Sequence, residues 1–273
     1  MSASPPVGPS NPRIKSALRL RERKERDASG LTLVDGAREL RRALEAGAEV
    51  VEAFVCETLL AGEDARAALD ALGAGDVPTT TTTEAGLAKL AFGDRAEGLV
   101  AVVRAPSLGL TDLRLSVDPL ILVIESVEKP GNIGAVLRSA DGAGVDAVIA
   151  ASPRTDLANP NVVRASAGTF FTVPMAAAAS QEVLAWLRDR RIRVLAARVE
   201  GGSAYTDADL TGPLAIVVGA ESEGLTDTWI GPEIEAIHLP MLGIADSLNV
   251  SVSAAVLAYE ARRQRGGHTT GAD

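Results

Sequence analysis

The chain has 273 residues, a formal charge of −9, an apolar content of 47% and an aromatic content of only 3%. This length suits one large domain or two ordinary ones, and we expect two. A core of small aliphatic side chains favours helices on a buried parallel sheet over a β-sandwich or barrel. The single cysteine, Cys56, excludes an internal disulfide, and without a Cys/His cluster no metal is expected.

The N-terminal residues lack the apolar core of a signal peptide, and no apolar run approaches the roughly 18 residues that a membrane span needs. These features predict a cytoplasmic protein without a membrane partner.

Charge is distributed unevenly along the chain. Residues 1–42 carry a local balance of +5, so the remainder carries −14. A basic segment on an acidic body can bind nucleic acid, because phosphate neutralisation is local. The alternative is a solvated basic helix. The candidate phosphate-binding residues of the segment are Arg13, Lys15, Arg19, Arg21, Arg23, Lys24 and Arg26.

The first predicted domain covers residues 13–105 and follows a tail, residues 1–12, that is expected to be disordered. Its periodicity alternates between helix and strand. The predicted elements are a basic helix at 13–26, strands at 31–34, 50–56 and 99–104, a helix at 37–46, and a strand between two helices over 65–92.

Residues 106–118 show little apolar periodicity and are predicted to be a linker. From 119 to 266, five or six short apolar strands alternate with helices, which predicts a mostly parallel sheet covered on both faces. One strand is expected near residues 171–174, and a long helix at 248–265 closes the domain.

Three polar stretches follow strands of this sheet, where ligands of parallel α/β sheets bind. In the first, Asn132 is predicted to cap a helix. Arg138 lies six residues later, about 120° around that helix, so the two side chains can flank one cleft. The alternative is that Asn132 is only a cap and Arg138 a surface cation.

The second stretch is the loop GAESEG, which follows a strand ending at Gly219 and contains Glu221. It has neither the dinucleotide fingerprint nor the lysine of a P-loop. The third stretch has Ser247 as its predicted helix cap, followed by Asn249, Ser251 and Ser253. So many polar side chains exceed what capping needs, which favours a functional role.

In order, the three stretches resemble the motifs of the SpoU-TrmH family of RNA ribose 2'-O-methyltransferases, within the SPOUT superfamily. The matching sequences are NIGAVLRSADGAGVDAVI, IVVGAESEGL and LPMLGIADSLNVSVSAAVLAYEARRQ. Residues 11–104 are similar to the ribosomal-protein-like RNA-binding domain that many members carry. Overall size and layout resemble the antibiotic-resistance 23S rRNA methyltransferases of the thiostrepton and avilamycin type.

The resemblance implies a trefoil-knotted α/β catalytic domain, a homodimer, S-adenosylmethionine as methyl donor and 23S rRNA as substrate. The implied cofactor-binding residues are Ala197, Gly219, Ala220, Leu239, Met241, Leu248 and Ser253. The implied catalytic residues are Arg138, Asn132, Glu221, Ser247 and Asn249.

Within this set, Arg138 is expected to stabilise the developing alkoxide and contact a phosphate, because an arginine hardly ever loses its proton. Asn132 and Asn249 would provide hydrogen bonds in the cleft, and Glu221 would orient Arg138 or the loop. Arg164 is a further candidate phosphate ligand, with a surface role as the alternative.

Three other functions are compatible with parts of the pattern. A tRNA methyltransferase of the same family would carry the same motifs. A catalytically silent RNA-binding module is disfavoured by the intact Asn132, Arg138, Glu221 and Asn249. A nucleotide-binding oxidoreductase lacks its expected fingerprint.

Overall fold

The computed structural model describes residues 5–92, 97–220 and 223–266. The chain divides into two compact units. The first is the chain up to Pro106 together with Asp156–Thr172, and the second is Ser107–Thr155 together with the chain from Val173. This division differs from the two continuous segments expected from the sequence, because residues 156–172 leave the second unit and pack within the first.

The elements before Ser107 alternate between helix and strand. They are α1 (Pro12–Arg19), α2 (Arg23–Ser29), β1 (Leu31–Asp35), α3 (Ala37–Glu45), β2 (Val50–Val55), α4 (Gly62–Ala74), β3 (Thr79–Thr81), α5 (Glu84–Leu90) and β4 (Leu99–Arg104).

The elements after Ser107 complete both units. They are β5 (Leu120–Glu125), α6 (Pro130–Ala143), β6 (Ala147–Ala151), α7 (Pro160–Ala165), β7 (Met175–Ala178), α8 (Ser180–Asp189), β8 (Arg193–Ala197), β9 (Ser203–Ala204), β10 (Leu214–Val218), β11 (Ile234–His238) and α9 (Val250–Gln264).

The first unit contains a four-stranded mixed sheet in the order β1-β4-β2-β3. Strand β4 is antiparallel to β1 and to β2, and β2 is parallel to β3. Apolar side chains on one face of the sheet, among them Leu33 and Phe54, pack with Ile14 of α1 and Leu87 of α5. Burial of this face is what holds the short N-terminal helices in place.

Two predictions for the N-terminal segment are wrong in detail. The basic helix is interrupted, because α1 ends at Arg19 and α2 starts at Arg23. Residues 5–11 also differ from the disordered tail that was expected. The Val7 amide donates to the Thr81 carbonyl at 2.9 Å, and Val7 forms a parallel bridge with Thr82.

Residues 156–172 belong to the first unit through specific polar contacts. The buried guanidinium of Arg26 lies 2.5 Å from the Asp156 carboxylate. The Thr32 hydroxyl donates to the Ala158 carbonyl at 2.6 Å, and Arg42 donates to the Ala167 carbonyl at 2.6 Å. These partners are more than a hundred residues apart in sequence, so local patterns could not reveal the pairing.

The second unit contains a seven-stranded sheet in the order β7-β6-β5-β10-β8-β11-β9, in which each neighbouring pair is parallel. The predicted α/β class and mostly parallel sheet are therefore confirmed. Every residue of β5, β6 and β10 is buried, as expected for strands covered on both faces.

Two strands of this sheet were misread from the sequence. The strand expected near residues 171–174 is a 3-10 turn, Thr169–Phe171, and β7 begins only after Pro174, whose nitrogen has no hydrogen to donate to a ladder. Strand β9 has two residues, too few to leave a periodic signal.

Helices α6 and α9 pack against each other in this unit. Gly142 of α6 faces Tyr259 of α9, and an added Cβ would lie 2.6 Å from the tyrosine hydroxyl. No helix in the described part of the chain is both long and apolar enough to cross a membrane.

Candidate active site

A cavity of about 650 Å³ lies in the second unit, at the carboxyl ends of β8, β10 and β11. All seven residues predicted to bind a cofactor line this cavity. These are Ala197, Gly219, Ala220, Leu239, Met241, Leu248 and Ser253. Ser247 also lines the cavity.

The parallel sheet brings these sequence-distant residues together. Ala196 of β8 pairs with Val217 of β10, and Ala197 pairs with Ile237 of β11. The residues that follow these three strands therefore emerge at one edge of the sheet. The first turns of α9 supply the remaining wall through Val250 and Ser253.

The described residues of the Gly219–Leu225 loop form a tight wall of the cavity, through Gly219, Ala220, Gly224 and Leu225. The Gly224 amide donates to the Ala220 carbonyl at 2.9 Å. A Cβ added at Gly219 would lie 2.3 Å from the Gly224 carbonyl, so this position has no room for a side chain. Glu221, a predicted site residue of this loop, lies outside the described residues.

The rim of the cavity is charged, which the sequence reading missed. Arg198, Glu200, Glu223 and Asp246 all line it. Arg198 donates to the Trp229 carbonyl at 2.8 Å. For Arg198 and Glu200 the sequence did contain a signal, because both come soon after β8. Residues that follow a parallel strand lie at the edge of the sheet where ligands bind.

Arg154 joins the loops that follow two neighbouring strands. Its guanidinium contacts Glu128, in the loop before α6, and Glu223, each at 3.0 Å. The hydrogen bond from Arg154 lowers the pKa of Glu223, so this carboxylate is ionised at neutral pH.

The asparagines of the first and third motifs meet. The Asn249 amide nitrogen lies 3.3 Å from the Asn132 amide oxygen. Asn132 is not the cap that was predicted, because α6 begins at Pro130 and Asn132 is its third residue. Its side chain is thereby available to the other motif.

The predicted cap of the last helix is also wrong. Asn249, not Ser247, caps α9 by accepting from the Ser251 amide at 3.0 Å and the Ser251 hydroxyl at 2.6 Å. Ser247 instead lies in the preceding loop as a cavity residue.

Arg138 is exposed on α6 and is not one of the described residues that line the cavity. It forms no ion pair with any residue in the described ranges. Its guanidinium is therefore accessible from solvent, and it lies on the same helix as Asn132.

The predicted phosphate ligands of the first unit are in different situations. Arg26 is buried and paired with Asp156, so its prediction as a phosphate ligand is wrong. Arg164 lies 3.5 Å from Asp35, and its side chain is 37% exposed. Burial raises the pKa of Asp35 to about 6.

The other six basic residues are exposed, and four of them have partners. Arg13 pairs with Glu52, Arg19 with Glu25 and Arg23 with Asp27. Arg21 stacks on Phe92 with 4.6 Å between guanidinium and ring centre. Lys15 and Lys24 make no ion pair with a described residue.

Within the described ranges, no group of three or more His, Cys, Asp or Glu side chains is placed to hold a metal. The polar groups around the cavity are instead backbone groups, the hydroxyls of Ser247 and Ser253, and single charged side chains. Such a lining suits an organic ligand with both apolar and charged parts.

Comparison with known proteins supports this interpretation. The model of the SpoU rRNA methylase family matches residues 119–259, and that of the MRM3-like substrate binding domain matches residues 11–101. The chain is 39% identical over 150 residues to the 23S rRNA (guanosine-2'-O-)-methyltransferase RlmB of Pectobacterium atrosepticum, covering 55% of this chain and 62% of that protein. It is 36% identical over 208 residues to RlmB of Ralstonia nicotianae, covering 74% and 82%.

Solved structures extend the likeness over both units. A crystal structure described as an RNA 2'-O ribose methyltransferase has a TM-score of 0.83 and 43% identity, covering 95% of this chain and 98% of that one. The SpoU methyltransferase AviRb of Streptomyces viridochromogenes, in complex with AdoMet, has a TM-score of 0.82 and 30% identity, covering 93% and 98%.

Proposed function

Because the chain belongs to the SpoU rRNA methylase family, we propose that it methylates a ribose 2'-hydroxyl of 23S rRNA, with S-adenosylmethionine as methyl donor. The observation that carries the proposal is the cavity itself. All seven residues predicted to bind the cofactor line it, although they come from sequence-distant stretches, and they lie at the ligand-binding edge of a parallel sheet.

The cavity fits the donor in size and chemistry. Its volume of about 650 Å³ is in the range of small-molecule sites. Backbone groups of the Gly219 loop and of Leu239 can hydrogen-bond an adenine edge, and apolar side chains such as Leu225 can pack on its ring. Glu200 and Asp246 on the rim suit a cationic ligand.

When bound, S-adenosylmethionine supplies a methyl group already activated by its positive sulfur. The protein then has to align the ribose oxygen with that methyl group and exclude competing water. Asn132 and Asn249 meet beside the α9 wall of the cavity, where they can hydrogen-bond the substrate.

Arg138 has the role of charge stabilisation. It follows Asn132 by six residues, about 9 Å along the helix axis. Its exposed guanidinium can contact an RNA phosphate and stabilise the negative charge that develops on the 2'-oxygen as the hydroxyl releases its proton to water. An arginine is a poor general base, because it stays protonated.

The first unit binds the RNA in this proposal. The MRM3-like substrate binding domain match supports this role, as do the exposed cations at its N-terminus. RNA is recognised largely by shape and backbone, which suits scattered cations. The activity belongs in the cytoplasm, with the ribosome.

A homodimer and a trefoil knot complete the proposal. Several large apolar side chains of the second unit are exposed on α9 and the loop before it, and their burial would favour association. They are Leu242, Ile244, Val252 and Tyr259. Threading of the C-terminal segment through a loop is the knot that the family resemblance implies.

The direct test of the cofactor is calorimetric titration of the protein with S-adenosylmethionine. We expect one site per chain.

A tRNA substrate is the competing proposal, and tritiated methyl transfer to total rRNA and total tRNA separates the two. Drug resistance remains a prediction, which growth of an expressing sensitive host on ribosome-targeting antibiotics tests.

A further inference from the structure

Glu125, the last residue of β5, is a fully buried carboxylate that the proposed chemistry does not use. Its Oε1 accepts from the Ser180 hydroxyl at 2.6 Å and from the Thr226 hydroxyl at 2.8 Å. Its Oε2 accepts from the Thr226 amide at 2.8 Å. A buried carboxylate is tolerated only with such partners, so this network is an obligatory part of the fold.

Thr226 is the residue that directly follows the Gly219–Leu225 loop of the cavity. The start of that loop is also held by β5, because Val218 pairs with Ile124, the neighbour of Glu125. The backbone of β5 therefore fixes the entry of the loop, and the Glu125 side chain fixes its exit.

We infer that Glu125 is a positioning residue that holds Gly224 and Leu225 in the cavity wall and thereby sets the affinity for the cofactor. Glu125 is not one of the described residues lining the cavity, so it acts through Thr226. The inference rests on the proposed function in taking the cavity as the S-adenosylmethionine site.

The geometry explains which substitutions preserve this role. A glutamine at position 125 can accept from the Thr226 amide with its oxygen, and its NH2 group can donate to the two hydroxyls, which also accept. An alanine removes all three hydrogen bonds and leaves the Thr226 amide without its carboxylate partner. Glu125→Gln should therefore resemble the wild type, and Glu125→Ala should not.

Ser180 provides a matched control on the other side of the carboxylate. It begins α8 and contacts Ser152, at the ends of strands away from the loop. Thr226→Val and Ser180→Ala each remove one hydroxyl donor to the same Oε1 atom. If Glu125 has only a structural role, the two variants should change cofactor affinity equally. If Glu125 positions the loop, Thr226→Val should weaken cofactor binding more than Ser180→Ala does.

The experiment measures S-adenosylmethionine binding by calorimetry and melting temperature for the wild type and the four variants. We expect Thr226→Val to weaken binding about tenfold, which corresponds to roughly 1.4 kcal/mol. Ser180→Ala should lower the melting temperature about as much as Thr226→Val does, because each variant loses one hydroxyl hydrogen bond. It should leave the dissociation constant for S-adenosylmethionine within about twofold of the wild-type value. Equal weakening by both variants, no weakening by Thr226→Val, or loss of binding in Glu125→Gln would overturn the inference.

Amide hydrogen exchange without ligand separates this inference from the proposed function. We expect faster exchange at Gly224 and Thr226 in Glu125→Ala, or in Thr226→Val if the alanine variant does not fold. Unchanged exchange in Thr226→Val contradicts the anchoring. If the wild type binds no S-adenosylmethionine, the proposed function fails. The exchange rates still show whether Glu125 holds the end of the loop at Thr226.

Discussion

Among single residues, Gly219 illustrates most directly how the sequence shapes the cavity. A methyl group at this position would lie 2.3 Å from the carbonyl carbon of Gly224, so the loop would have to move. We expect Gly219→Ala to weaken S-adenosylmethionine binding by at least about tenfold, or roughly 1.4 kcal/mol, in calorimetric titration.

Gly243 is the matched control for that substitution. It lies in the loop between Met241 and Ser247, and an added Cβ would meet nothing within 4 Å. Gly243→Ala should therefore bind the cofactor like the wild type. Similar losses in the two variants would show that the contact with Gly224 does not control binding.

Arg138 is expected to act in methyl transfer and not in folding. Because its side chain is exposed, Arg138→Ala should change the free energy of unfolding by no more than about 0.5 kcal/mol. Methyl transfer should fall by at least about a hundredfold, while cofactor affinity stays unchanged.

The measurement is single-turnover methylation of rRNA beside calorimetry. Arg191→Ala, which removes another exposed arginine of the second unit, serves as the control. Turnover of Arg138→Ala equal to that of the control would remove Arg138 from the site.

Sequence reasoning succeeded for residues whose position follows from strand ends. Gly219 and Leu239 come directly after apolar strands, so a parallel sheet places them at one edge. It failed for Arg26, whose burial depends on Asp156, a partner 130 residues away. It also failed for Asn132, because Pro130 starts the helix two residues earlier.

The N-terminal helices carry two kinds of basic residue: some stabilise the fold, and others are exposed and can contact RNA. Lys15 on α1 and Lys24 on α2 are exposed and lack an ion pair within the described ranges. We expect the double variant Lys15→Glu/Lys24→Glu to weaken rRNA binding and flatten its dependence on salt. Each lost contact should reduce the slope of log affinity against log salt by about 0.7–0.9.

Filter binding at several salt concentrations measures this slope, with cofactor affinity as the internal control. An unchanged slope would mean that RNA binds elsewhere on the chain.

Arg26→Ala is the contrasting variant, because removing one partner of a buried ion pair typically costs about 3–5 kcal/mol. Its effect should appear as a lower melting temperature.

The end of β1 introduces a dependence on pH. Burial raises the pKa of Asp35 from 3.8 to about 6. The folded state therefore holds the proton more tightly than the unfolded state, and stability from this group is lost as pH rises from about 4 to 6. The loss amounts to at most about 3 kcal/mol.

Asp35→Asn removes this titration. We expect its melting temperature to rise relative to the wild type as pH increases from 4 to 7. Thermal denaturation across that range measures the difference. A constant difference between the two proteins would show that Asp35 titrates normally.

For the whole molecule, the α/β class and parallel sheet follow from composition and strand periodicity, but the order of the strands does not. Sheet order depends on which strands pair across crossovers, and short apolar runs such as β5, β6 and β10 are interchangeable in sequence. The transfer of residues 156–172 to the first unit was equally hidden, because the contacts of Arg26 and Arg42 with that segment are distant in sequence.

The proposed homodimer is expected to depend on the exposed apolar side chains of α9. Val252 is 46% exposed on α9, so a charge there should not disturb the core of one chain. We expect Val252→Glu to convert a dimer into a monomer in sedimentation velocity experiments. A wild-type protein that sediments as a monomer would contradict the proposal.

The most direct test of the proposed activity is mapping of 2'-O-methylated nucleotides. Unmodified 23S rRNA and total tRNA are incubated with the protein and S-adenosylmethionine, and nuclease digests are read by mass spectrometry. We predict a new ribose methylation at one site in 23S rRNA, which is absent when Arg138→Ala replaces the wild type. Methylation of a base, methylation of tRNA alone, or an unmodified 23S rRNA would contradict it.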